Sequence, residues 1–172
     1  DRLFKCRHIV VSVMSYGLRQ FGSFFGNSII NRMNSLPANI YSVASVRQMD
    51  RIAIEEQDVS GYKLMQRAPK AAFHVVREHY PRAGRWQVVC GGGNNAGDGY
   101  LLARLAAHDG IVVSVAAIID PDKLSGDAAT AYLDFAADGG IIVPWTDSLD
   151  KKAELLVDAM LGSGLSRDLG DD

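Results

Sequence analysis

From Trp86 onward the chain alternates short apolar runs with amphipathic stretches, and this alternation restricts the fold more than any other feature. Trp86-Gln87-Val88-Val89-Cys90 reads as a strand, and Gly97 to His108 as a helix with Leu101, Leu102, Leu105 and Ala106 inward. Ile111 to Ile119 is a run of mostly β-branched residues, as in a strand buried on both faces. Gly126 to Ala137 is again helical and closes at Gly139-Gly140. Ile141-Ile142-Val143 and Leu155-Leu156-Val157 are two further strands, with a weak helix expected near Leu149 between them. Strands separated by helices pair in parallel, with the helices covering both faces of the sheet. The expected class is α/β with a mostly parallel sheet.

The segment before the first strand reads as helical. Val43, Val46, Met49, Ile52 and Ala53 recur at helical spacing, with Ser42 or Ser45 available as a cap. A second helical stretch runs from about Gly61 to His79, where Pro69 should start, kink or interrupt the helix. Residues 1–32 differ in character. They are acid-poor, carrying Arg2, Lys5, Arg7, Arg19 and Arg32 against Asp1 alone, and show no clear periodicity. Two readings stay open: a targeting segment, or sequence from upstream of a start at Met33. We divide the chain into an extension, 1–35, and a domain, 36–172.

Charge and cysteine content narrow the function. Over 172 residues, 18 Lys and Arg stand against 20 Asp and Glu, so no basic stripe marks a nucleic-acid partner. No apolar run approaches the ~18 residues that a membrane span needs. Cys6 and Cys90 make neither a disulfide framework nor a metal set, which suits a reducing, cytoplasmic setting. There is no H-E-x-x-H, paired C-x-x-C or G-x-S-x-G. His74 and His79 read as surface histidines, and Cys90 as a small core residue.

The chemistry concentrates in two loops. Cys90-Gly91-Gly92-Gly93-Asn94-Asn95-Ala96-Gly97-Asp98-Gly99 joins a buried strand to a helix, at the sheet edge where open α/β folds bind ligands. Its glycines let the backbone approach a ligand, and the amides at the helix start favour a phosphate. The carboxamides of Asn94 and Asn95 and the carboxylate of Asp98 add oxygens suited to a hard cation. The blander reading makes Asn94 or Asp98 a helix cap. Gly91-x-Gly93-x-x-Ala96 also fits the dinucleotide pattern, with Asp120 where a ribose-binding acid is expected. The second loop, Val157-Asp158-Ala159-Met160-Leu161-Gly162-Ser163-Gly164-Leu165-Ser166-Arg167-Asp168, repeats the layout: a strand ending in an acid, then glycines. Its amides and Arg167 suit a second phosphate, while Asp158 read alone is equally a capping acid.

Asn94-Asn95-Ala96-Gly97-Asp98-Gly99 with Leu101, Ala103 and Arg104, together with Val157-Asp158-Ala159-Met160-Leu161-Gly162, resembles the NAD(P)H-hydrate epimerase family. The match spans roughly Ile40 to Asp168 and includes Leu64-Met65-Gln66-Arg67-Ala68. The chain is similar in style to bacterial forms in which this domain precedes a dehydratase, a lyase domain. The resemblance implies a Rossmann-like three-layer α/β/α sandwich that interconverts the epimers of hydrated NADH and NADPH, and it implies a homodimer. It implies that Asn94, Asn95, Ala96, Gly97 and Asp98 bind the hydrated dinucleotide, and that Gly162, Ser163, Gly164, Leu165, Ser166, Arg167 and Asp168 contact it. Asn95 and Asp158 are implied ligands of a potassium ion.

Two departures stand out. The family has glycine where Ala96 and Pro69 stand, and its next strand and catalytic acid would lie beyond Asp172. The expectation is therefore a C-terminally truncated epimerase domain that binds nucleotide weakly without turning it over. The competing expectations are an NAD-dependent oxidoreductase and a non-catalytic nucleotide-binding module.

Overall fold

The computed structural model describes residues 7–8, 42–56, 59–146 and 149–162. Helix α1 (Val43–Glu56) starts at Ser42, whose Oγ accepts the Ser45 amide at 3.1 Å. The second helical stretch divides at Gln66 into α2 (Gly61–Met65) and α3 (Arg67–His79). Pro69 is the third residue of α3, in the turn whose amides have no partner within the helix, so its missing N–H is no loss there.

The alternating region follows as β2 (Arg85–Cys90), α4 (Asn94–His108), β3 (Val112–Ala117), a 3₁₀ turn (Pro121–Lys123), α5 (Gly126–Ala137), β4 (Ile141–Pro144) and β5 (Leu155–Ala159). A two-residue strand, β1 (Arg7–His8), lies beside β5, and the sheet order is β1-β5-β2-β3-β4, parallel throughout. The alternating region thus begins at β2, steps outward through β3 to β4, and returns to place β5 on the other side of β2. That reversal puts a topological switch point between the carboxyl ends of β2 and β5.

One face of the sheet carries Trp86, Val88 and Cys90 from β2, Val113 and Val115 from β3, and Leu155, Val157 and Ala159 from β5. These share a core with Met65, Val76, Tyr100, Leu102, Ala131 and Phe135, so α2, α3, α4 and α5 all join the same face. On the other face Gln87, Val89, Ala116 and Leu156 are buried as well.

Three local expectations are corrected. Strand β3 is shorter than the apolar run, leaving Ile118 and Ile119 exposed beyond its end and Val112 exposed at its start. Residues 149–154 form a turn rather than a helix, fixed by Gln87 Oε1, which accepts the Asp150 amide at 2.8 Å. Helix α4 begins at Asn94, three residues before the expected Gly97, which moves both asparagines out of the loop and into the first helical turn.

Candidate functional site at the switch point

The start of α4 is built for an incoming acceptor. Its N-cap is Gly93, extended at φ −124° and ψ −166°, and no side chain caps the helix. The amides of Ala96 and Gly97 both reach the Gly93 carbonyl, at 2.9 and 3.4 Å. Those of Asn94 and Asn95 lie ahead of them, at the positive end of the helix. The capping reading of Asn94 and Asp98 therefore fails: Asn94 is the first helical residue and exposed, and Asp98 lies one turn further, fully buried. Ala96 is fully buried within the helix, where a Cβ is tolerated, and Gly97 is buried beside it.

The two loops meet. The Gly91 amide donates to the Ala159 carbonyl at 3.1 Å, and Asn95 Nδ2 donates to the Leu161 carbonyl at 3.1 Å. A Cβ on Gly91 would stand 2.1 Å from the Met160 carbonyl oxygen, so only glycine admits this crossing. Gly162 closes the contact, since a Cβ there would lie 3.2 Å from Asn95 Cβ. Asp158, half-buried at the end of β5, accepts the Met160 amide at 2.9 Å through Oδ1. The structure so brings Asn95, Leu161 and Gly162 together, with Asn94 at the rim and Asp158 in the turn leading to Leu161. Ser163, Gly164, Leu165, Ser166, Arg167 and Asp168 lie outside the described residues.

The polarity of Asn95 is informative. Its side chain is 4% exposed, and the bond to the Leu161 carbonyl fixes which end is nitrogen. Oδ1 is then a buried oxygen with no hydrogen-bond donor among the described residues. A buried carbonyl oxygen without a donor is the type of ligand that a hard monovalent cation takes.

The other sequence readings divide. Gly93 borders open space, whereas Gly99, outside the G-x-G-x-x-A pattern, carries the close helix–strand approach, 2.6 Å from Ala159 Cβ and 2.7 Å from Cys90 Sγ if given a Cβ. Asp120 lies three residues beyond the end of β3 rather than at it. Its Oδ1 accepts the Asp122 amide at 3.2 Å and caps the 3₁₀ turn. Burial pushes the Cys90 thiol far above its ordinary value, as suits a core residue. His74 and His79 are exposed on α3, and the His79 ring contacts the Val75 carbonyl. Sequence reasoning missed Ile119, whose Cδ1 would lie 2.6 Å from a Cβ on Gly92; the apolar run hid it inside a strand. It also missed the Leu161 carbonyl, since a backbone group leaves no signal in side-chain identity.

A family model described as YjeF-related protein N-terminus matches residues 61–172. The bifunctional NAD(P)H-hydrate repair enzyme Nnr of Escherichia coli is 41% identical over 135 residues, covering 76% of this chain and 25% of that one. Its counterpart in Coxiella burnetii is 42% identical over 127 residues, covering 74% and 26%. The NAD(P)H-hydrate epimerase of Rhodobacter capsulatus is 34% identical over 132 residues, covering 72% and 62%. The chain thus spans about a quarter of the two bifunctional relatives. The crystal structure of yeast ynu0 (YNL200c) superposes with a TM-score of 0.66 at 18% identity, covering 77% of this chain and 60% of that one, which supports the fold.

Proposed function

For a chain that belongs to the YjeF-related protein N-terminus family, we propose epimerisation of hydrated NADH and NADPH at the crevice between β2 and β5. The observation that carries the reading is the Asn95–Leu161 hydrogen bond, which joins the two motif loops at the switch point. The names of its relatives in Escherichia coli and Rhodobacter capsulatus support the substrate.

Inversion at the hydroxyl-bearing carbon needs that C–O bond to break and re-form on the opposite face. The hydroxyl leaves as water once protonated, the ring nitrogen supplies the electron pair that steadies the resulting cation, and water returns from the other side with loss of a proton. In this reading the amides of Asn94 and Asn95 hold the pyrophosphate, and the residues from Gly162 to Asp168 are the ones that contact the substrate. Asn95 Oδ1 and the Asp158 carboxylate are the groups that would hold a potassium ion. When bound, the ion would supply fixed positive charge to the site. Asp98 is fully buried in α4, one turn behind the Asn94 amide, and so is shielded from proton exchange with solvent.

The test is NMR of the protein with a mixture of the two epimers of NADPH hydrate, in potassium and in sodium. Binding of both epimers, tighter in potassium, is expected. Exchange between them above the spontaneous rate is expected once the domain carries the additional length of its Rhodobacter relative. Failure of the folded protein to bind either epimer overturns the reading.

A further inference from the structure

We propose that the dinucleotide crosses the switch point in one direction only, with its adenine on Ile118 and Ile119 beyond β3 and its hydrated ring toward Asn95 and Asp158 beyond β5. This orientation rests on the reading of the crevice as a site for hydrated NADH or NADPH.

The two ends of such a ligand differ in chemistry. Adenine is flat and aromatic and gains by burying its faces against apolar side chains, whereas the hydrated ring is puckered and carries a hydroxyl and a carboxamide. The two sides of the crevice differ correspondingly. Beyond β3, Ile118 and Ile119 remain 44% and 42% exposed, and the Ile118 amide donates to the Cys90 carbonyl at 2.9 Å, holding the pair at the exit of β2. Ile119 Cδ1 lies over Gly92, beside the loop that leads to the α4 amides. Asp120, next in the chain, engages its own 3₁₀ turn, its Oδ1 accepting the Asp122 amide at 3.2 Å. Beyond β5 stand the buried Asn95 Oδ1, without a donor among the described residues, and the Asp158 carboxylate. Met160 and Leu161 are also exposed there, so apolar surface exists on both sides and the polar groups decide. Strand β2 lies between β3 and β5, so the two regions are about 10 Å apart, two inter-strand spacings. A pyrophosphate over the α4 N-terminus bridges that interval.

The experiment measures binding of adenosine monophosphate, reduced nicotinamide mononucleotide and NADPH to the protein and to Ile119→Ser and Ile119→Leu. Ile119→Ser should weaken adenosine monophosphate by about tenfold, the effect of one lost apolar contact. It should leave the nicotinamide mononucleotide unchanged. Ile119→Leu keeps the apolar surface and should bind adenosine monophosphate like the parent, which separates a lost contact from a lost fold. A loss confined to the nicotinamide mononucleotide reverses the orientation, and an equal loss of both, or no change in either, overturns it. If the parent protein binds NADPH but Ile119→Ser is silent, the orientation alone falls. If the parent binds none of the three ligands, the site reading falls with it.

Discussion

Asn95 and Leu161 lie 66 positions apart, yet the Asn95 amide nitrogen donates to the Leu161 carbonyl at 3.1 Å and couples the exits of β2 and β5. Asn95→Ala removes this bond, worth about 1 kcal/mol. It also removes a buried oxygen that has no donor among the described residues, which offsets part of the loss. The expected outcome is a small drop in stability, about 1 kcal/mol or less by guanidinium unfolding. Ligand affinity should fall far more, together with its dependence on potassium. Equal, small effects on both would show that the bond is structural only.

Gly91 and Gly93 share one loop and should respond very unequally to alanine. A Cβ on Gly91 meets the Met160 carbonyl oxygen at 2.1 Å, and that backbone cannot withdraw without parting the loops. A Cβ on Gly93 meets nothing within 4 Å, at a φ of −124° that any residue adopts. Gly91→Ala should cost about 3 kcal/mol or more and abolish ligand binding. Gly93→Ala should cost under about 1 kcal/mol, the weaker N-cap. Thermal melts of the two variants check this directly.

The order of elements was legible because period and punctuation agree: β-branched runs bounded by glycine or proline, and helical spacing between them. The starts and ends were less so. Asn94 joined the helix because Gly93 takes the N-cap, a choice that side-chain preference for asparagine obscured. Ile118 and Ile119 looked like strand because periodicity counts apolar residues and cannot see where pairing stops. Of the site, Asn95 and Asp158 stood out by residue type. The contact that joins the loops ends on a carbonyl, and the close packing falls on Gly99 rather than on a pattern glycine.

Two side chains around α4 make pH-dependent contributions to stability, one in acid and one in alkali. Asp138 receives Arg104 Nε at 2.6 Å and His108 Nε2 at 2.7 Å, and these, the guanidinium first, hold its carboxyl below its ordinary 3.8. Its contribution is present above pH 3.8 and lost as pH falls through the lowered value. The Tm difference between the protein and Asp138→Asn should hold from pH 7 to about pH 4 and close below it. Tyr62 donates to Asp134 Oδ2 at 2.5 Å; burial first, then this bond, pushes its hydroxyl from 10.0 up to about 12. That contribution is present below pH 10 and lost as pH rises toward 12. Tyr62→Phe should therefore differ from the parent at pH 9 and match it near pH 12. A constant gap across either window contradicts the assignment.

Gly99 lets α4 settle onto the sheet beneath the site, and its replacement tests how tightly that contact is set. An added Cβ would stand 2.6 Å from Ala159 Cβ and 2.7 Å from Cys90 Sγ, both fully buried. Neither is the far end of a flexible chain. Alanine gains up to about 1 kcal/mol in helix propensity, while overpacking costs about 1–3 kcal/mol. Gly99→Ala should thus be destabilising by about 2 kcal/mol at most once the full propensity gain is set against the overpacking. Adding Cys90→Ala removes the sulfur but leaves Ala159 in place, so the double variant should lose less than the two single losses added together. Strict additivity in chemical unfolding would mean that α4 moves away from β2 rather than pressing on it.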